Sequence, residues 1–173
     1  MDEQLIKSRI RDIPDYPKKG IVFRDITTLL SDGAAFQMCI DALADSVKDK
    51  RIDYIMGIEA RGFIIASALA YKTGKGFIPA RKKGKLPWKT VVRSYDLEYG
   101  KDSLEMHEDA VGKGSSVLIA DDLLATGGTA KAAAEMIGEM GANVAAIAFL
   151  VELTGLKGRE KLSGYEVISL AKY

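Results

Sequence analysis

Between Val117 and Ile137 the chain reads VLIADDLLATGGTAKAAAEMI. An apolar run suited to a buried strand meets two adjacent carboxylates, then a Thr-Gly-Gly-Thr turn, then an alanine-rich helical stretch. A strand passing through a glycine turn into a helix is half of a βαβ unit, and it commits the chain to α/β architecture. Val144 to Val151 is apolar throughout, as expected of a parallel strand with both faces covered by helices. IDYIMGI, KGFIPA and YEVISLA read as further short strands. DGAAFQMCIDALADSVKDK and RGFIIASALAYKTG read as helices. In the first helix Ala35, Met38, Cys39, Ala42 and Leu43 form one stripe with Ser31 or Asp32 as N-cap, and Gly74 stops the second. The predicted fold is a doubly wound, mostly parallel sheet.

Two regions depart from that rhythm. RKKGKLPWKTVVRSYDLEYGKDSLEMHED carries a basic cluster, turn signals at Gly84 and Pro87, and alternating segments that predict a β-hairpin instead of a crossover helix. The first twenty residues predict a short helix and a turn, broken at Pro14, Pro17 and Gly20, and IVFRDITTLLSDG reads as strand-like and then polar.

Composition narrows the function. With 173 residues, 47% hydrophobic and 28% charged, the chain reads as one domain spanning 1–173. Its 25 Lys and Arg against 24 Asp and Glu leave a net charge of +1, which gives no global attraction to nucleic acid or an anionic membrane. No apolar run reaches the ~18 residues of a membrane span, and no apolar leader opens the sequence. The lone cysteine, Cys39, falls in an apolar helical stripe and reads as a buried hydrophobe in a reducing compartment. A cytoplasmic protein is expected. His107 lies in a charged, strand-like stretch and is expected to be solvated.

Ligands of open parallel sheets bind beyond the carboxyl ends of the strands, where this glycine turn stands. Gly127 and Gly128 permit a tight turn. The N–H groups of Ala125 to Thr129 and the following helix start then form an anion cradle, to which Thr126 and Thr129 add hydroxyls. The spacing is neither G-x-x-x-x-G-K-[ST] nor G-x-G-x-x-G, which disfavours a nucleoside triphosphate or a dinucleotide. Asp121 and Asp122 would repel a phosphate unless each had its own partner. Sugar hydroxyls suit them, with or without a bridging Mg²⁺. A ribose carrying a 5′-phosphate satisfies both halves.

VLIADDLLATGGT resembles the phosphoribosyl pyrophosphate (PRPP) signature of the type I phosphoribosyltransferases. Within that family VFRDIT, GIEARGF, RKKGKLP, SYDLEYG and VELTGLKGREKL are similar, in the same order, to the members that use adenine. The resemblance implies a small N-terminal hood of about thirty residues over the base site, and a flexible hairpin lid beyond the basic loop, the two spanning 81–107. It implies transfer of the phosphoribosyl group from PRPP to adenine in purine salvage, giving AMP and pyrophosphate with Mg²⁺, and a homodimer.

By the same resemblance, Asp121 and Asp122 hold the ribose hydroxyls and Ala125, Thr126, Gly127, Gly128 and Thr129 hold the 5′-phosphate. Mg²⁺ is bound mainly through PRPP, near the two aspartates, with no dedicated protein ligands. The leaving pyrophosphate takes most of the developing negative charge and requires a second anion site. Glu59, Ala60 and Arg61 would supply it from the next strand-to-helix turn, helped by Arg81, Lys82 and Lys85. Glu98 would handle the purine proton and Tyr99 cover the reacting centre. Phe23 and Leu153 would bracket adenine, with backbone groups of Val22 and Arg24 reading its edge; Phe23 as plain core is the competing reading. Ala125 stands where enzymes for 6-oxopurines place an aspartate, which argues against hypoxanthine and guanine. Ala60 replaces a serine common in the family. Two alternatives stay open: a regulator that binds PRPP without turnover, and an enzyme for another purine.

Overall fold

The computed structural model describes residues 3–96 and 101–173. The elements run α1 (Glu3–Lys7), β1 (Arg11–Pro14), β2 (Val22–Asp25), α2 (Thr27–Ser31), α3 (Gly33–Ser46), β3 (Tyr54–Ile58), α4 (Gly62–Thr73) and β4 (Gly76–Lys82). Then follow β5 (Thr90–Asp96), β6 (Lys101–His107), β7 (Ser116–Leu124), α5 (Gly128–Glu139), β8 (Asn143–Glu152), α6 (Gly158–Lys161) and β9 (Val167–Lys172).

The main sheet has seven strands in the order β5-β6-β4-β3-β7-β8-β9. β4, β3, β7, β8 and β9 are mutually parallel, while β6 pairs antiparallel with both β4 and β5. The expected doubly wound sheet and hairpin are both present. Alternation along the strands explains the two helical layers. Leu118 and Ala120 of β7, with Ala146, Ala148 and Leu150 of β8, bury against α3 and α4. Val117, Ile119, Ile147 and Phe149 point to the other face, where α5 supplies Ala130, Ala133, Ala134, Met136 and Ile137. The small alanines let the helix approach the sheet closely, and burial of both strand faces accounts for their unbroken apolar runs. Cys39 lies in this core, and burial pushes its thiol up to about 11, so it stays protonated and inert.

The N-terminal reading needs correction. The short helix is there, but residues 11–14 form a strand paired antiparallel with β2, and Pro14 sits at its end opposite Val22. A proline is tolerated there because this sheet has only two strands and therefore only edges. The polar half of IVFRDITTLLSDG contains α2, started by Asp25, whose carboxylate accepts from the Thr27 backbone N–H and hydroxyl. A helix of five residues is too short to show a period. The polar stretch after β8 likewise holds a 3₁₀ turn and α6. His107 is half-buried, with its Nε2 shielded and unpaired among the described residues, and so is not simply solvated. Trp88 is 63% exposed, and nothing in the structure explains it.

Candidate active site at the sheet's switch point

From β3 the chain crosses to β4 on one side, while from β7 it crosses to β8 on the other. The crevice between these diverging connections is where an open α/β sheet accepts a ligand. Two turns border it. One joins β3 to α4 through Glu59, Ala60 and Arg61, and the other joins β7 to α5 through Ala125, Thr126 and Gly127.

The second turn is built as an anion cradle. Gly127 has φ 78°, the left-handed region that a side chain rarely adopts, and it opens α5 with no side-chain cap. The first N–H groups of α5 therefore remain available to a ligand. A small cavity of about 80 Å³ is lined by Ala125 through Ala130 with Asp121 and Phe149. Beside it a second cavity of about 380 Å³ is lined by Glu59, Ala60, Arg61, Lys82, Asp121 and Asp122, with Thr129 and Tyr95. Asp121 and Thr129 face both, so the two cavities form one continuous site. A larger groove of about 920 Å³ between α3 and β9 shares no lining residue with either turn.

β7 runs on through both aspartates to Leu124, further than the sequence reading placed its end. The Asp122 backbone N–H donates to Asp121 Oδ1 at 2.9 Å. Burial, and then the neighbouring Asp122 carboxylate, push the Asp121 carboxyl above the usual carboxylate range. Burial also raises Asp122, opposed by Arg61, whose Nε lies 2.8 Å from Asp122 Oδ2 in an ion pair that is not aligned as a hydrogen bond. The sequence reading gave Arg61 wholly to pyrophosphate; here its guanidinium neutralises Asp122 at the crevice wall. It also stands 5.4 Å from the Phe23 ring centroid, which joins the N-terminal sheet to the site.

The basic residues are organised by carboxylates. Glu59 Oε2 accepts from Arg81 Nε at 2.9 Å and from the Lys82 backbone N–H at 3.1 Å, while Arg81 Nη1 donates to the Lys85 carbonyl at 3.1 Å. The Lys82 ammonium pairs with Asp102 on β6. Burial alone would raise Glu59, but the bonds from Arg81 and Lys82 outweigh it and hold the carboxyl below its ordinary range. Arg81 and Lys85 line neither cavity; Arg81 reaches the site through Glu59, which does.

The residues that the sequence reading gave to the base lie on β2 and just after β8. Val22 is 43% exposed; Phe23 is half-buried and meets Tyr16 edge-on at 5.3 Å, so it is not plain core. The Arg24 side chain pairs with Asp12 and stacks 3.9 Å above the Tyr173 ring. Leu153 is half-buried, and its N–H donates to the Leu124 carbonyl at 2.9 Å. None of these four lines either cavity. Glu98 and Tyr99 lie outside the described residues.

One site-forming residue escaped the sequence reading. Glu105 on β6 is buried, and its Oε1 accepts from the backbone N–H groups of Lys85 and Leu86, both at 2.7 Å. It pins the basic loop to β6. The signal was a glutamate between two apolar residues in LEMHED. Burial opposes its charge, but the backbone donors of Gly84, Leu86 and Lys85 prevail and lower its carboxyl. An acid with a depressed folded pKa contributes stability that is present above its unfolded pKa and lost as pH falls through the folded value. Glu105→Gln should therefore melt below wild type near neutral pH, by about 1–2 kcal/mol of stability. The gap should close below about pH 4. A gap independent of pH, followed by thermal melts, would remove the charge from this account.

A parallel sheet with a capless glycine turn, an acidic pair and a facing cationic turn at its switch point defines a domain that binds a phosphorylated sugar. The chain belongs to the phosphoribosyl transferase domain family, which matches residues 25–171. It is 56% identical over 168 residues to the adenine phosphoribosyltransferase of Solibacter usitatus, covering 97% of both chains. To that of Geotalea daltonii it is 58% identical over 168 residues, covering 97% of this chain and 98% of the relative. The crystal structure of adenine phosphoribosyltransferase from Thermoanaerobacter pseudethanolicus superposes with a TM-score of 0.96 at 52% identity, over 99% of this chain and 100% of that one. The enzyme from Saccharomyces cerevisiae, solved with adenine and an imino-altritol bisphosphate, gives 0.92 at 40% identity over 97% of each chain.

Proposed function

We infer that this chain transfers the 5-phosphoribosyl group from PRPP to adenine, forming AMP and pyrophosphate. The observation that carries this reading is the pairing, across the β3–β7 crevice, of an uncapped glycine cradle and acidic pair with the Glu59–Arg61 turn and its basic loop. Relatives above half identity supply the base.

In this reading the N–H groups of Ala125 to Thr129 hold the 5′-phosphate, and the carboxylates of Asp121 and Asp122 accept from the ribose hydroxyls. The Glu59–Arg61 turn, Arg61 and Lys82 receive the pyrophosphate, with Arg81 and Lys85 adding field. As the bond from the anomeric carbon to pyrophosphate breaks and the bond to the purine nitrogen forms, positive charge grows on the sugar and negative charge on the leaving group. The two carboxylates and the cationic turn are disposed to stabilise both. Phe23 and Leu153 bracket the base, and Val22 and Arg24 read its edge through their backbones. Glu98 takes the purine proton, and Tyr99 with the hairpin keeps water from competing.

Mg²⁺ fits this donor set. Asp121 and Asp122 border the crevice, where an ion carried on PRPP would stand beside them. The ion would be held mainly by PRPP oxygens beside these two carboxylates, and would neutralise pyrophosphate charge. The family resemblance supports a homodimer, and the buried, inert Cys39 suits a cytoplasmic setting. No described helix is long and apolar enough to cross a membrane.

The direct test is nucleotide synthesis from PRPP, Mg²⁺ and adenine, following AMP and pyrophosphate together. Equal amounts of both, abolished by a chelator, are expected. PRPP binding with no pyrophosphate released would instead make the chain a PRPP sensor.

A further inference from the structure

The stretch from Leu153 to Lys161 resembles its family as a unit, yet the reading above uses only Leu153. The rest is built as a brace beneath the phosphate loop. Lys157 adopts left-handed backbone, φ 53° and ψ 27°, and turns the chain so that Gly158 opens α6. Gly158 is buried against the loop: a Cβ there would overlap the Ala125 carbonyl oxygen and stand 3.0 Å from the Gly127 nitrogen. Conversely, a Cβ on Gly127 would overlap the Gly158 carbonyl oxygen. Two backbones therefore pack directly on each other, with no side chain between them.

Arg159 keeps Gly158 in place. Its Nε donates to Glu152 Oε1 at 3.0 Å and its Nη2 to Glu152 Oε2 at 2.5 Å, the bidentate fork that fixes both groups in a plane. Its Nη1 donates to the Val167 carbonyl at 2.8 Å and its Nη2 to Ser169 Oγ at 3.2 Å, while the Ser169 hydroxyl donates to Glu152 Oε2 at 2.7 Å. Glu152 is only 5% exposed and is held ionised, first by the Arg159 bond. The end of β8 and the first half of β9 are thus locked to α6, and through Gly158 to the cradle. Glu152, Gly158 and Arg159 themselves line neither cavity of the site.

We propose that Gly158 and Arg159, fixed by Glu152, are positioning residues that set the Ala125–Gly127 loop in the shape that accepts the 5′-phosphate. This rests on the assignment of that loop to the phosphate. A rigid cradle presents its N–H groups without reorganisation on binding, and small displacements of such a site weaken it sharply. The brace begins at Leu153, whose N–H is bonded to Leu124 on the strand leading into the cradle, so one segment supports both the base side and the phosphate side.

The test compares AMP with adenosine, which lacks only the phosphate, by titration calorimetry on wild type, Gly158→Ala, Arg159→Gln and Thr129→Ala. Gly158→Ala should lose tenfold or more in AMP affinity with adenosine affinity unchanged. Arg159→Gln should shift the same way by a smaller factor, and KM for PRPP should rise more than kcat falls. If Thr129→Ala weakens AMP but the two brace variants do not, the loop needs no brace and the proposal fails alone. If none of the three separates AMP from adenosine, the phosphate assignment fails and takes the proposal with it. Equal losses for AMP and adenosine would show general loosening and also overturn it. Should Gly158→Ala not fold, Arg159→Gln decides by the same criteria.

Discussion

Replacing Asp121 and Asp122 together by asparagine is expected to raise the KM for PRPP about a hundredfold or more while the melting temperature holds or rises. Each carboxylate that accepts from a sugar hydroxyl contributes roughly 1.5–3 kcal/mol, and two such losses exceed the 2.8 kcal/mol that corresponds to about a hundredfold. Stability moves the other way for a definite reason. Burial raises both carboxyls in the folded chain, and the Asp122 carboxylate raises Asp121 further, so their ionised forms work against folding at neutral pH, and a neutral amide relieves that cost. Arg61 loses an ion partner, but at 39% side-chain exposure water can solvate it. Saturation kinetics with a thermal melt separate the two effects. Unchanged KM would sink the ribose assignment, and an unfolded double variant would mean that the acidic pair serves structure.

Arg61→Ala carries the second large effect. The guanidinium neutralises Asp122, lines the crevice and stands against Phe23. Its removal should cut kcat/KM for PRPP about a hundredfold, through loss of charge-assisted contacts to the departing pyrophosphate. It also strands a buried carboxylate, at about 1–2 kcal/mol of stability once the exposure of the arginine is discounted. Adding Asp122→Asn to Arg61→Ala should restore the stability and leave the activity lost. Recovery of turnover in that pair would show that Arg61 acts only by neutralising Asp122.

Much of this was legible in the sequence because the relevant physics is local. The TGGT turn needs its glycines wherever it stands, and parallel strands buried on both faces must be apolar along their length, so the sheet, its major helices and the cradle could be read from residue order. What was not legible depends on contacts between distant residues. Arg11 to Pro14 is a strand only because Val22 to Asp25 returns beside it, and Thr27 to Ser31 is a helix too short to declare a period. Arg61 could be placed at the right turn, yet its pairing with Asp122 across the crevice spans two connections of the fold. Beyond their apolar neighbours, nothing in the residue order sets Glu105 or Glu152 apart from other charged residues on strands. Their function as acceptors for the basic loop and for Arg159 follows only from the folded arrangement. Gly158 was quoted within a matching stretch, but its reason for being glycine is the backbone of Ala125 and Gly127 lying against it.

The central claim is transfer of phosphoribose to adenine, and a base panel tests it most directly. Purified protein would be supplied with PRPP and Mg²⁺ and with adenine, hypoxanthine, guanine or xanthine in separate reactions, following nucleotide formation. Product with adenine alone is predicted, since Ala125 offers no carboxylate to a 6-oxopurine. Comparable product with hypoxanthine or guanine would leave the PRPP site standing and contradict the assignment of the base.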